Sequence, residues 1–291
     1  SPKIPHFDGE YTGESFHAHD YRDPEVFKGK RVLVIGVGNS GMDIACDACR
    51  TAESVFLSTR HGVHVIPKYA LGKPVDQLSS SAMAYVPFPV ERLAYEAIVR
   101  MSVGRPQDRG LPKPDHRLLG AHPTVSAELY DRVGHGDIVM KPDITRFDGD
   151  KVQFVDGTTE EVDLVVYATG YDITLPFLDG VYTPEHNKMP LYLRVAPPDL
   201  PGLWFMGFIQ TVGSGIPLYE YQAEWVGDII DGEVPMPDRD TMQRWIDHDQ
   251  KEMGKRYLRS ERHTMQVDYW RYIRTMKEAR GKRSLLSRIG L

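Results

Sequence analysis

Lys30-Arg31-Val32-Leu33-Val34-Ile35-Gly36-Val37-Gly38-Asn39-Ser40-Gly41 is the stretch on which the fold turns. Its first half is an unbroken, largely β-branched apolar run, the mark of a strand buried on both faces of a parallel sheet. Its second half is a G-x-G-x-x-G turn, and residues 42–50 continue as a helix. Ser54-Val55-Phe56-Leu57-Ser58-Thr59-Arg60 reads as the next strand. Strand, glycine turn, helix and strand within roughly thirty residues make one βαβ unit. In that setting each glycine has a task. Gly36 permits the tight turn, Gly38 lets a pyrophosphate approach the backbone, and Gly41 lets the helix pack on the strand. The helix N-terminus offers free N–H groups and a positive dipole end to phosphates. Asn39 and Ser40 are placed to add side-chain hydrogen bonds there. The alternative, a glycine turn that binds nothing, is disfavoured by this context.

The end of the second strand decides between dinucleotides. An NAD site places Asp or Glu there to accept from the ribose 2′-hydroxyl. This chain has Ser58-Thr59-Arg60 and no carboxylate. Two hydroxyls and a guanidinium suit a 2′-phosphate, because Arg presents a rigid bidentate fork. NADPH is the expected ligand; the competing reading is an ordinary surface arginine at a strand end.

Outward from this unit, the chain has 291 residues, with 41% hydrophobic and 26% charged, an ordinary globular composition. Thirty-five Lys and Arg against forty-one Asp and Glu give a net charge of −6, which argues against non-specific nucleic-acid binding. No apolar run approaches the ~18–20 residues needed to span a bilayer. Two cysteines rule out a disulfide framework and make a reducing cytoplasm the expectation. Residues 1–29 read as an ordered, extended lead-in. Residues 61–130 are punctuated by proline and read as an insertion, with an amphipathic helix at 90–101. Short strands are expected at 138–140, 144–147, 152–155 and 162–167, with turns at Asp148-Gly149 and Asp156-Gly157. Residues 203–208 read as a further apolar strand. A helix begins near Tyr219, and a charged, Met-rich helical tail runs from Arg239 onward.

Two signals admit a second reading. Cys46-Asp47-Ala48-Cys49 is a C-x-x-C, but it lies well inside the helix, where buried packing is favoured over redox chemistry. His17-Ala18-His19-Asp20 resembles a metal pair, yet no third ligand follows at useful spacing, so no metal is expected.

Tyr11-x-Gly13-x-x-x-His17-x-x-x-Tyr21, just ahead of the glycine turn, resembles the signature of class B flavoprotein monooxygenases. Flavin-containing monooxygenases have Phe where Tyr11 stands. Tyr21 is similar to that branch, whereas Baeyer–Villiger enzymes usually end the signature with Trp. Further matches are Pro123-Thr124-Val125, Ala168-Thr169-Gly170-Tyr171 and Gly207-Phe208-Ile209-Gln210, so the resemblance covers nearly the whole chain. It implies an α/β protein: a Rossmann-like NADPH-binding domain with parallel sheet and β-meander, then the C-terminal part of an FAD/NAD(P)-binding domain and a helical tail. The implied boundaries are 1–29 for the lead-in, 30–167 for the NADPH domain with its insertion at about 65–130, and 168–291 for the remainder.

The resemblance also implies a reaction. NADPH reduces FAD, the reduced flavin takes O2 to a C4a-hydroperoxide, and a small amine or sulfide (a ketone in the Baeyer–Villiger branch) receives the distal oxygen. Gly36, Gly38, Asn39, Ser40, Gly41, Ser58, Thr59 and Arg60 would hold NADPH. Ala168, Thr169 and Gly170 would form the hinge back to the FAD domain, and Gln210 and Thr211 would lie near the flavin ring. Tyr11, Gly13, His17 and Tyr21 would organise the linker rather than move protons. In the family an FAD fingerprint and the active-site Asn lie upstream of the signature. The expectation is therefore a C-terminal portion that binds NADPH and does not retain FAD alone. Its expected partners are a second copy or a separate N-terminal half, with neither nucleic acid nor membrane. The rival readings are an NADPH-binding fragment without activity and a flavin disulfide reductase using the C-x-x-C.

Overall fold

A computed structural model describes residues 1–257 and 264–281. The chain forms two compact units. The first comprises Ser1–Gly72, Glu96–Leu118 and Pro123–Thr174; the second comprises Lys73–Tyr95, Leu119–His122 and the described residues from Leu175 onward. The stretch expected as an insertion is thus divided between the units rather than standing apart.

The first unit carries β1 (Asp8–Tyr11), β2 (Glu14–His17), β3 (Arg31–Ile35), α1 (Asn39–Ala48), β4 (Ser54–Ser58) and β5 (Val65–Ile66). Next comes α2 (Phe88–Val103), whose residues divide between the units after Tyr95. Then follow β6 (Thr124–Val125), α3 (Leu129–His135), β7 (Val139–Lys141), β8 (Ile144–Gly149), β9 (Lys151–Phe154), β10 (Thr159–Glu161) and β11 (Leu164–Tyr167). The central sheet has five parallel strands in the order β2-β11-β3-β4-β7. The lead-in is therefore not merely a linker: β2 forms one edge of this sheet, and β1 pairs in parallel with β8. The meander β8-β9-β10 completes a second, four-stranded sheet. β10 was not anticipated, because Thr159-Glu160-Glu161 offers no apolar alternation to read.

The apolar runs are explained by two-sided burial. Val32, Val34, Val55, Leu57, Leu164 and Val166 pack into one cluster with Met42, Ile44 and Ala45 of α1. Their neighbours Leu33, Ile35, Phe56, Val165 and Tyr167 pack on the opposite face against Phe147, Val152 and Phe154 of the meander. Alternation along each strand sends successive side chains to opposite faces. Each fully buried side chain of this size stabilises by about 1.5–3 kcal/mol.

The second unit holds β12 (Gln210–Thr211), α4 (Ile216–Ile230), α5 (Arg239–Arg256), β13 (Gln266–Val267) and α6 (Tyr269–Ala279). Its core joins Leu218, Trp225 and Val226 of α4 to Tyr272, Ile273 and Met276 of α6. Arg271 and Arg274 donate to the Val86 and Ala84 carbonyls and Trp270 to the Ser79 hydroxyl, which ties residues 73–95 to this unit. The expected strand at 203–208 does not form. Leu203 N–H closes a turn on Leu200 O, Phe205 N–H reaches Val195 O, and Gly207 turns the chain with φ +82°. The helix expected at 90–101 is α2, but it buries no residue fully, and Val90, Leu93 and Met101 are exposed. Of the expected helical tail, α5 and α6 are described; residues 258–263 and 282–291 lie outside the described residues. No described helix is long and apolar enough to cross a membrane.

Candidate functional site

Register places the sequence motifs at one edge. Tyr167 pairs with both His17 and Ile35, and Ile35 pairs with Ser58, so these four residues form one row at the carboxyl ends of β2, β11, β3 and β4. Ala168, Gly36 and Thr59 each follow directly, at the end of an open parallel sheet where ligands of α/β proteins bind. Three backbone bonds lock this rim: Gly36 N to Ser58 O at 2.9 Å, Ala168 N to Ile35 O at 2.9 Å, and Thr59 N to Lys141 O at 3.0 Å.

The glycine turn is as tight as the sequence implies. Gly36 has φ +108°, and a Cβ there would lie 2.5 Å from Ala168 O. A Cβ on Gly41 would lie 1.9 Å from Gly36 O, so only glycine lets α1 start this close to the turn. Gly38 is the N-cap and supplies no side-chain cap. The amides of Asn39, Ser40 and Gly41, the first turn of α1, have no partner within the helix. Asn39 is drawn into the fold: its Oδ1 accepts from Val125 N–H at 2.9 Å. Ser40 is exposed at the helix start.

At the end of β4 the three expected phosphate ligands separate. Ser58 is 1% exposed and its hydroxyl donates to Pro142 O at 2.7 Å, so it offers no proton to a ligand. Thr59 is half-buried and donates to His61 O at 2.6 Å in a local turn. Arg60 is exposed and forms no ion pair among the described residues. The guanidinium is the group left for an anion; the serine belongs to the core.

The signature residues hold the lead-in in place. Tyr11 Oη donates to Val162 O at 3.0 Å, and its ring lies across Gly13, where a Cβ would come 2.3 Å from the phenol oxygen. This explains the Y-x-G spacing. His17 is 3% exposed. Its Nδ1 accepts from His19 N–H at 3.0 Å, so Nε2 carries the proton and donates to Gly170 O at 3.0 Å. Burial holds its pKa below the ordinary value, and both nitrogens are engaged in a structural clasp rather than in acid–base work. Tyr21 stacks on Phe27 and donates to Asp47 of α1, and burial with that carboxylate pushes its pKa up to about 12. Gly170 O also accepts from Lys3 N–H, and Thr169 Oγ1 donates to Lys3 O.

Cys46 is buried in the α1 core and its thiol pKa is pushed up to about 12 by desolvation. Cys49 is half-buried, is shifted upward for the same reason, and donates to Cys46 O. Both thiols are free. A redox dithiol needs a low-pKa, accessible thiolate, which this geometry opposes.

Gln210 and Thr211 belong to the second unit, in the two-residue pairing of β12 with β13. Thr211 Oγ1 is buried without a hydrogen-bond partner among the described residues, as are both amide atoms of Gln266, the register partner of Gln210. Nearby, the buried Gln222 accepts from Gly207 N–H and donates to Tyr272 Oη.

The main feature the sequence did not reveal is β6. Thr124, 2% exposed, donates from Oγ1 to Val37 O inside the glycine turn at 2.9 Å. The Pro123-Thr124-Val125 motif was visible, but the turn it braces lies 87 residues earlier.

The family model described as flavin-binding monooxygenase-like matches residues 2–289. Flavin-containing monooxygenase 5 of Oryctolagus cuniculus is 38% identical over 288 residues, 95% of this chain and 52% of that protein. Flavin-containing monooxygenase 3 of Homo sapiens is 33% identical over 282 residues, 94% of this chain and 52% of that protein. The chain thus spans about half the length of the curated relatives it matches. Two solved structures share the fold. S-allyl-L-cysteine S-oxygenase from Allium sativum has a TM-score of 0.61 at 22% identity, covering 99% of this chain and 54% of that one. Oxidized steroid monooxygenase bound to NADP has a TM-score of 0.64 at 19% identity, covering 100% and 72%.

Proposed function

The chain belongs to the flavin-binding monooxygenase-like family, and from that premise we propose that its first unit holds NADPH for a flavin-dependent monooxygenase acting on small, soft nucleophiles such as amines or sulfides. The observation that carries this reading is the uncapped start of α1 behind a glycine turn too close for any Cβ, with exposed Arg60 at the next strand end. The residues present fit the dinucleotide. Amides of Asn39, Ser40 and Gly41 face the pyrophosphate, and Arg60 takes the 2′-phosphate. Thr59 closes a local turn on His61 O that spans the exposed Arg60.

For FAD the fit rests on the second unit. The buried, unpartnered Thr211 hydroxyl and Gln266 carboxamide are donors and acceptors suited to the polar edge of a heterocycle. The sequence contains one G-x-G-x-x-G turn, which the nicotinamide dinucleotide uses, so the FAD pyrophosphate needs another element. When bound, NADPH supplies hydride and the flavin supplies activation of dioxygen; the protein positions both and excludes water. His17 contributes by clasping Gly170 to the lead-in, with no proton to exchange. Two free, protonated cysteines fit a reducing cytoplasm and give a disulfide-reductase reading no support.

The test is Arg60→Asp, with NADP+ and NAD+ titrated calorimetrically. Loss of a charge-assisted bidentate contact of about 1.5–3 kcal/mol corresponds to a drop of roughly 10- to 150-fold in NADP+ affinity. NAD+ affinity should hold or rise. Unchanged selectivity defeats the assignment.

A further inference from the structure

We propose that Thr124 is a positioning residue for the dinucleotide: β6 is a strap that takes up two acceptor atoms at the glycine turn, the Val37 carbonyl and Asn39 Oδ1, and turns donors to its open side. This inference rests on the dinucleotide reading above.

A loop that cradles an anion must turn its N–H groups toward the ligand and its carbonyl oxygens away. The carbonyl of Val37 lies in the middle of the turn, between Gly36 and Gly38. It is captured by the Thr124 hydroxyl, a buried donor held on a short strand. Another acceptor at the turn is Asn39 Oδ1, and the neighbouring residue of the same strand, Val125, captures it through its N–H. Because Val125 N–H is a donor, the amide oxygen must face it. Asn39, the first residue of α1, is then left with Nδ2 and its two protons as the free end of its carboxamide.

The strap is itself anchored. β6 pairs in parallel with β5, Thr124 N–H donates to His64 O at 3.0 Å, and Ser126 N–H donates to Ile66 O at 3.1 Å. Tyr130 Oη donates to Val65 O from behind. Two consecutive residues of one strand thus meet two acceptors at the turn, the Val37 carbonyl and Asn39 Oδ1. A single bond would only brace the loop; the pair sorts its polarity.

Three forms of the chain test this: wild type, Thr124→Val and Thr124→Ser. Valine keeps the shape and removes the donor, leaving the Val37 carbonyl unpaired; serine keeps the donor. NADP+ binding is measured by calorimetry. Adenosine 2′-monophosphate, which has the phosphate for Arg60 but no pyrophosphate, is followed by NMR titration. The expected result is about tenfold weaker NADP+ binding for Thr124→Val. Thr124→Ser should stay within about twofold of wild type, and adenosine 2′-monophosphate should bind equally to all three. Wild-type NADP+ affinity in Thr124→Val overturns the strap, as does an equal loss of both ligands, which would mark a general lesion. A wild-type chain that binds neither ligand overturns the dinucleotide reading itself, and the strap with it. Should Thr124→Val fail to fold, Asn39→Asp carries the test. It keeps an acceptor for Val125 and puts a carboxylate where the free amide end lies. It should lose NADP+ at least tenfold and keep adenosine 2′-monophosphate, and unchanged NADP+ binding overturns the proposal.

Discussion

His17 should make the first unit lose stability as pH falls below about 6.5, and replacing it should remove that loss. The imidazole is 3% exposed, accepts at Nδ1 and donates at Nε2, so the folded protein holds it neutral and its pKa below the ordinary value. The sign follows from linkage. The unfolded chain takes up a proton near pH 6.5 that the folded chain refuses, so the contribution is complete above that pH and declines below it. If the folded imidazole stays neutral throughout, going from pH 7 to 5.5 costs about 1.2 kcal/mol, roughly an eightfold change in the opening equilibrium. His64 is half-buried and its pKa is lowered by desolvation too, so the difference between wild type and His17→Asn is the quantity to read. Asparagine keeps an acceptor for His19 N–H and loses the reach to Gly170, at a pH-independent cost of about 1 kcal/mol. All four tryptophans lie in the second unit, so their fluorescence is the wrong probe. Hydrogen exchange at the amides of Val165, Val166 and Tyr167, normalised to intrinsic rates, reports on the strand that the clasp protects. Equal pH slopes in wild type and His17→Asn would refute the neutral clasp.

Two more expectations concern α1. Gly41→Ala puts a Cβ where the structure allows 1.9 Å to Gly36 O, so the helix start must shift. A loss of about 1–3 kcal/mol in stability, with weaker NADP+ binding, should appear in melting and calorimetry; an unchanged melting temperature would contradict the packing. Cys46, with its pKa near 12, holds about a thousandfold fewer thiolates than an ordinary thiol of pKa 9. Alkylation at pH 8 should therefore be far slower in native than in urea-unfolded protein. NADPH with flavin should expose no additional thiols, and a gain would revive the dithiol reading.

What was legible in the sequence is what is local. The strand β3, the turn and α1 lie within one short stretch, where β-branched residues and glycine spacing state their own roles. Ser58 misled because its partner Pro142 is 84 residues away, just past the end of β7, whose pairing with β4 no local pattern reveals. Asn39 is similar: its identity at a helix start suggested a ligand contact, while half of its carboxamide serves Val125, 86 residues on. Residues 203–208 were apolar enough for a strand, but hydrophobicity reports burial and not pairing; Phe205 is buried while making one backbone bond to Val195. β10 shows the converse, a paired edge strand with polar residues throughout. The clasp of His17 on Gly170 became visible only when register brought β2 beside β11.

Titrating the wild-type chain with NADP+ and with NAD+ in a calorimeter, under one buffer, asks most directly whether a diphosphate sits on the start of α1 beside Arg60. The predicted result is saturable heat with NADP+ and at least about tenfold weaker binding of NAD+. No heat with either nucleotide, or NAD+ binding as tightly as NADP+, would contradict it.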